Sequence, residues 1–236
     1  MSFLKAEWRK LALFNYEVPS SLLKEFVPNG TELDLWNGKC YLSVVGFMFQ
    51  NTRIRGLKIP YHINFEEVNL RFYVKRKVNN EWRRGVVFIK EIVPRWALSF
   101  VANTIYNEHY QTCPMKHSWT KDEGVFKAEY QWKVHDQWQS ISITTEDKPV
   151  PILSTSEAEF ITEHYWGYAK VSEEKTNEYQ VTHPRWMQYP VIDYKLAIDF
   201  KLNYGDRFAF LNEVQPVSVQ LAEGSHITVE SKITLR

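Results

Sequence analysis

From residue 66 to residue 77 the chain alternates well between apolar and polar side chains. Val68, Leu70, Phe72 and Val74 fall on one face, and Glu67, Asn69, Arg71 and Tyr73 on the other. A period of two is the signature of a β-strand. A second apolar strand, residues 84–93, follows after Asn79-Asn80, so a hairpin is expected. Long antiparallel strands need their edges managed, and closure into a barrel does this. In a closed barrel one face of a strand meets the layer outside and the other looks into the lumen. If the polar face is the inward one, its side chains line a cavity as neighbours about 7 Å apart. The same pattern also fits a hairpin whose polar face is solvated.

The rest of the chain supports a β-rich fold. Residues 39–49 read as a strongly apolar strand and 51–62 as a basic loop with Gly56 and Pro60. Probable hairpin strands lie at 126–134 and 138–145 about His135-Asp136, and further strands at 165–171, 178–183, 191–200 and 227–235. Pro19 opens a short helix over 20–26. Helical periodicity appears at 95–106 and 203–211, and Ser156-Glu157-Ala158-Glu159 has the spacing of a capping box. Leu221-Ala222-Glu223-Gly224-Ser225 reads as a tight turn. No linker, repeat or low-complexity segment divides the chain. The expectation is one domain over 1–236, mainly β (α+β), forming a closed cone-like antiparallel barrel with short inserted helices.

Composition narrows the function classes. The 236 residues carry a net charge of +1 with basic residues spread along the chain, so no field attracts nucleic acid. No apolar run is long enough to span a bilayer, and Lys5, Glu7, Arg9 and Lys10 argue against a signal peptide. With only Cys40 and Cys113, a cytoplasmic setting is expected. Aromatic residues are 15% of the chain, enough for a large core or the wall of a pocket.

Few segments carry chemistry. An inward Arg71 offers a planar fork for a carboxylate, and an inward Glu67 can move protons. Lys90, between Ile89 and Glu91, is a candidate amine whose pKa burial would lower. His164-Tyr165-Trp166 and His183-Pro184-Arg185-Trp186 are possible pocket mouths, although core packing explains such rings equally well. Neither Gly-x-Ser-x-Gly nor Gly-x-Gly-x-x-Gly occurs, and no histidine has companions at a metal-binding spacing. No cofactor or metal is implied.

Several segments carry a family resemblance. Asn15-Tyr16-Glu17-Val18, Glu32–Gly38, Asn64–Arg71, Phe160–Gly167 and His183–Trp186 resemble the YqjF-like family of uncharacterised proteins. More distantly, the chain is similar to acetoacetate decarboxylase, which implies a cone-shaped barrel around an internal site and a possible homo-oligomer. Glu67 matches a glutamate opening a strand of that fold. The decarboxylase forms its Schiff base on the first of two lysines, where this chain reads Tyr110-Gln111. A phenol cannot form an iminium. The resemblance therefore implies a lumen pocket lined by Glu67, Asn69, Arg71, Tyr106 and Tyr110, for a small anionic or carbonyl-bearing molecule. Schiff-base chemistry on Lys90 or Lys116, or a filled barrel serving as an interaction scaffold, are the alternatives.

Overall fold

The computed structural model describes residues 2–94 and 110–236, and the helix expected at 95–106 lies outside them. The first strands are β1 (Ser2–Glu17), β2 (Glu32–Leu33), β3 (Tyr41–Ile54), β4 (Phe65–Val78), β5 (Glu81–Val93) and β6 (Tyr110–Thr112). Next come β7 (Met115–Asp122), β8 (Val125–Val134), β9 (Gln137–Glu146), β10 (Val150–Pro151), β11 (Trp166–Lys170) and β12 (Thr176–Thr182). The last are β13 (Met187–Tyr189), β14 (Val191–Ala197), β15 (Ser218–Glu230) and β16 (Ile233–Leu235). Short helices interrupt them: α1 (Ser20–Leu23), α2 (Glu157–Thr162) and α3 (Phe200–Tyr204), with 3-10 turns at Lys24–Phe26 and Asp206–Glu213.

The strands form two sheets. In the larger one the order runs β10-β13-β15-β1-β3-β4-β5-β11-β12-β16, with β2 on β4 and β6 on β5. Strand β12 also pairs with β15, through Val181↔Val229 and Thr182↔Thr228, so the hydrogen-bonded path returns to a strand it has already passed. The smaller sheet has the order β14-β9-β8-β7. The expected hairpins are present. Asn79 and Asn80 both have positive φ (48° and 67°), as do His135 and Asp136 (44° and 64°), the geometry that lets a two-residue turn follow strand twist.

The large sheet is buried on both sides. One face carries Phe14, Val44, Leu70 and Phe72, which share a core with Tyr130, Trp132, Ile141 and Ile143 of the small sheet. Each such fully buried large side chain contributes roughly 1.5–3 kcal/mol. The other face carries Leu13, Val45, Phe47 and Tyr73, packed with Phe160, Trp186 and Ile227. Ser156 Oγ accepts the Glu159 N–H, the cap expected from sequence, and this starts α2 on that second side.

Three expectations need correction. The sheet is not purely antiparallel, because β5 pairs in parallel with both β6 and β11. Parallel neighbours require a long crossover, and the chain supplies one between each pair. Second, the opening residues, which the sequence suggests only as a short segment ending at Asn15-Tyr16-Glu17-Val18, form one long strand over 2–17. Its alternation is hidden by register shifts at Lys5/Glu7 and Arg9/Ala12, and Lys10 has φ 55°. Third, residues 221–225 are no turn but the middle of β15, pairing with β1.

Gly224 sits opposite Arg9 in that pairing, at φ +80°, and a Cβ there would lie 2.0 Å from the Trp8 carbonyl oxygen. Backbone geometry explains the glycine, as a sheet irregularity rather than a turn. Gly224→Ala should therefore cost at least about 2 kcal/mol. That corresponds to a melting temperature roughly 4–8 °C lower in calorimetry for a domain of this size. An unchanged melting temperature would mean that β1 and β15 are not in this register.

Candidate functional site

The polar face of β4 is where the sequence places it, but inside the molecule. Glu67, Asn69 and Arg71 are only 3%, 1% and 6% exposed, and all three line a cavity of about 150 Å³. Across the sheet, Glu67 faces Phe47 of β3, Asn69 faces Val45 and Glu91, and Arg71 faces Ser43 and Phe88. A bulge between Leu70 and Arg71 skips Ile89 in the β4–β5 ladder and keeps Phe88 on the cavity side.

The same parity decides Lys90. It pairs with Leu70, whose side chain belongs to the core shared with the small sheet. Lys90 therefore faces away from the cavity, and its Nζ donates to the Asn203 carbonyl at 2.5 Å. Burial holds its pKa below the ordinary lysine value, as anticipated from its apolar flanks, although nearby Cys113 opposes the shift. It is not among the cavity-lining residues. Lys116 lies on β7 with its Nζ 4.5 Å from the ring centre of Trp138, also remote from the cavity. Tyr106 falls outside the described residues; Tyr110 begins β6, its backbone paired with Glu91.

Aromatic rings make up most of the wall. Trp8 meets Phe47 edge-on at 5.5 Å and Trp186 at 6.3 Å, while Phe49 stacks on Phe65 at 4.7 Å. His183 stacks on Trp186 at 4.2 Å, so this histidine and tryptophan sit together on the wall. Apolar surface with a few placed polar groups is the usual make-up of a small-molecule pocket.

A second polar cluster, invisible in sequence, lies beyond Tyr73. His164 follows α2, lines the cavity, and packs against the rings of Tyr73 (4.7 Å) and Phe160 (5.2 Å). Its Nε2 lies 3.2 Å from Asp34 Oδ2, and Arg84 Nε donates to the same oxygen at 2.6 Å. Arg84 Nη2 also lies 3.3 Å from Nε2. An ionised carboxylate can only accept, so the Asp34 contact is favourable when Nε2 carries the hydrogen and donates to it, and Arg84 Nη2 then has the Phe160 carbonyl, at 3.5 Å, as its acceptor. Burial pushes the His164 pKa down to about 4, and the charges of Arg84 and Arg71 add to this against the pull of Asp34. The ring is neutral at pH 7 with Nδ1 as its lone-pair nitrogen.

Several of these groups lack a protein partner. Among the described residues, Arg71 makes no ion pair and no hydrogen bond, and its Nε is buried. Trp8 Nε1, Asn69 Oδ1 and His164 Nδ1 are likewise buried without a partner, although Asn69 Nδ2 donates to Glu67 at 3.0 Å. A buried guanidinium outside a direct ion pair is costly, and this wall also carries two buried carboxylates, Glu67 and Glu91. Among the described residues no group of three or more His, Cys, Asp or Glu is placed to hold a metal ion. No helix among them is long and apolar enough to cross a membrane.

The chain is mainly β with few helices, and its fold resembles that of acetoacetate decarboxylase-like proteins. The chain superposes over its full length on 91% of the enduracididine biosynthesis enzyme MppR complexed with pyruvate, with a TM-score of 0.68 and 12% identity. Against acetoacetate decarboxylase from Legionella pneumophila the TM-score is 0.65 and the identity 13%, covering 99% of this chain and 87% of that one. A family described as an uncharacterized conserved protein matches residues 5–226, and the chain belongs to it. The uncharacterized protein YqjF of Bacillus subtilis is 37% identical over 75 residues, 31% of each chain. That match spans about a third of the length of this relative.

The neutral His164 has a consequence for stability. In the unfolded chain it takes up a proton near pH 6.5, whereas in the folded chain it resists down to about pH 4. Its stabilising contribution is full above pH 6.5 and is lost as pH falls from 6.5 towards 4, by roughly 3 kcal/mol in all. His183, also held low by burial, acts in the same sense. Urea unfolding at pH 7.0 and 4.5 should show a clear loss in the wild type and a markedly smaller one in His164→Phe. Equal losses would place His164 in water.

Proposed function

We propose that this protein binds or transforms a small carboxylate- or carbonyl-bearing metabolite in the cavity, without Schiff-base chemistry. The observation that carries this reading is Arg71, a buried guanidinium on the wall of an aromatic cavity with no ion pair among the described residues. A planar fork in that setting is complementary to a carboxylate. Glu67, buried next to it on the same strand face, serves as proton carrier or hydrogen-bond acceptor, and Asn69 as a further contact. Tyr106 and Tyr110 stay in the proposed set as ligand contacts on the sequence alone. Lys90 is withdrawn from the set, because it faces the opposite core.

Related folds support the ligand class. The enzyme MppR, which shares this fold, is described in complex with pyruvate, a small keto acid. The return of β12 to β15 supports a closed, cone-like barrel around the cavity. Two buried free thiols and the absence of a strong net charge fit a cytoplasmic protein with no nucleic-acid partner. A second reading, Schiff-base lyase chemistry, has the lowered pKa of Lys90 in its favour. It requires that amine to reach a cavity on the other side of its own strand. Borohydride reduction in the presence of pyruvate should give no adduct on Lys90 or Lys116, and an adduct on either would reinstate it.

Arg71→Met is the informative variant. If Arg71 is a ligand anchor outside any direct ion pair, its removal leaves the ligand-free protein about as stable as the wild type. If it is a structural ion-pair member, the same change costs about 3–5 kcal/mol. With a panel of small carboxylates and keto acids, a ligand at one hundred times its dissociation constant adds roughly 2.7 kcal/mol. That is a rise of about 5–11 °C in the wild type. The rise should vanish in Arg71→Met. A rise of equal size in both proteins would remove Arg71 from the site.

A further inference from the structure

We infer that the cavity selects 2-hydroxy acids, and that His164, held by Asp34 and Arg84, is the residue that reads the hydroxyl. The inference rests on the reading of Arg71 as a carboxylate anchor and adds a second recognition element to it.

The argument runs through hydrogen-bond partners. Among the described residues the cavity wall carries two buried donors without partners, Arg71 Nε and Trp8 Nε1, and two neutral buried acceptors without partners, Asn69 Oδ1 and His164 Nδ1; the buried carboxylates of Glu67 and Glu91 line it as well. Buried polar atoms are almost always satisfied, so these atoms together describe what the occupant must offer. The donors call for acceptor oxygens, which a carboxylate provides. The acceptors call for a donor on the same small molecule. A carboxylate alone has none.

Position assigns the reading residue. On the inward face of β4, Arg71 stands between Asn69 and Tyr73, and the His164 ring lies 4.7 Å from that of Tyr73. Arg71 and His164 line the same cavity, so a small acid held on the Arg71 fork shares that space with His164. The imidazole is fixed at its other end: Nε2–H donates to Asp34 at 3.2 Å, and Arg84 locks Asp34 at 2.6 Å. Nδ1 is left as the free lone pair. It cannot be turned away without breaking that pair, whereas Asn69 is tied only through its amide nitrogen to Glu67. A neutral lone pair suits a hydroxyl. An ammonium group would call for a carboxylate, Glu67 or Glu91, rather than for His164.

Matched pairs of acids test this: mandelate against phenylacetate, and the smaller lactate against propanoate, each pair differing by one hydroxyl. Binding is measured by calorimetry to wild type, Arg71→Met, His164→Phe and Asn69→Leu. His164→Phe preserves the ring packing on Tyr73 and Phe160 and leaves Asp34 paired with Arg84. The wild type should prefer the hydroxy acid of at least one pair by roughly 10- to 100-fold, the loss expected when a buried acceptor is left unmet. The preference should collapse in His164→Phe, while both acids lose binding in Arg71→Met. If none of the acids binds the wild type, or Arg71→Met binds them equally well, the anion-pocket reading itself fails. If the acids bind through Arg71 without preference, or the preference survives in His164→Phe and falls in Asn69→Leu, only the role of His164 is overturned. Tighter binding of phenylglycine than of mandelate would also overturn it, by pointing to a carboxylate as the reading group.

Nitrogen-15 NMR of the histidine rings gives a readout that needs no variant. Nδ1 of His164 should resonate as an unprotonated nitrogen and shift on addition of mandelate but not of phenylacetate. A protonated Nδ1 in the free protein would contradict the inference directly.

Discussion

Everything in this structure depends on a strand, β4, that is buried on both faces while carrying polar residues on one of them. Val68, Leu70, Phe72 and Val74 are sealed against the small sheet, where the hydrophobic effect fixes the register of the strand. Register leaves no choice for the other face: Glu67, Asn69 and Arg71 must point the opposite way, into a region that the aromatic side chains have already dried. The apolar core on one side thus holds the polar groups in place on the other. A one-residue slip would bring Arg71 into the core and Leu70 into the cavity, and neither environment would accept the exchange.

The second structural theme is that the cavity is assembled from parts distant in sequence. Strand β4 supplies Glu67, Asn69 and Arg71, strand β1 supplies Trp8, and the segment after α2 supplies His164. Asp34, which orients His164, lies 130 residues before it. The small helix α2 matters beyond its length. Its Ser156 cap fixes where the helix begins, and the buried Phe160 then sets His164 edge-on against its ring. The acetoacetate decarboxylase-like fold provides the frame, and the polar groups on the wall give it chemical character.

Much of the fold was legible in the sequence because its signals are local. The β4 alternation, the paired positive-φ residues at Asn79-Asn80 and His135-Asp136, and the Ser156 capping box each report the geometry later seen. The long β1 was not legible, since bulges and the left-handed Lys10 break its period, and Gly224 looked like a turn because the strand irregularity it relieves lies on another strand. Alternation put Glu67, Asn69 and Arg71 on one face of the strand, and only the structure shows that face buried against a cavity. Lys90 was misplaced for lack of register: Ile89 is the bulged residue, and only the ladder to Leu70 shows which face Lys90 takes. The Asp34–His164–Arg84 cluster had no sequence signal, because no spacing links three residues that meet only through tertiary packing.

The central claim is that Arg71 is buried to meet a ligand's carboxylate. The most direct test is a crystal structure of the protein with a bound small carboxylate. The account predicts the carboxylate against the Arg71 guanidinium at hydrogen-bond distance, about 2.7–2.9 Å, with the rest of the molecule among Trp8, Phe47 and Trp186. A carboxylate bound elsewhere, with Arg71 paired to a protein carboxylate or turned to solvent, would contradict it.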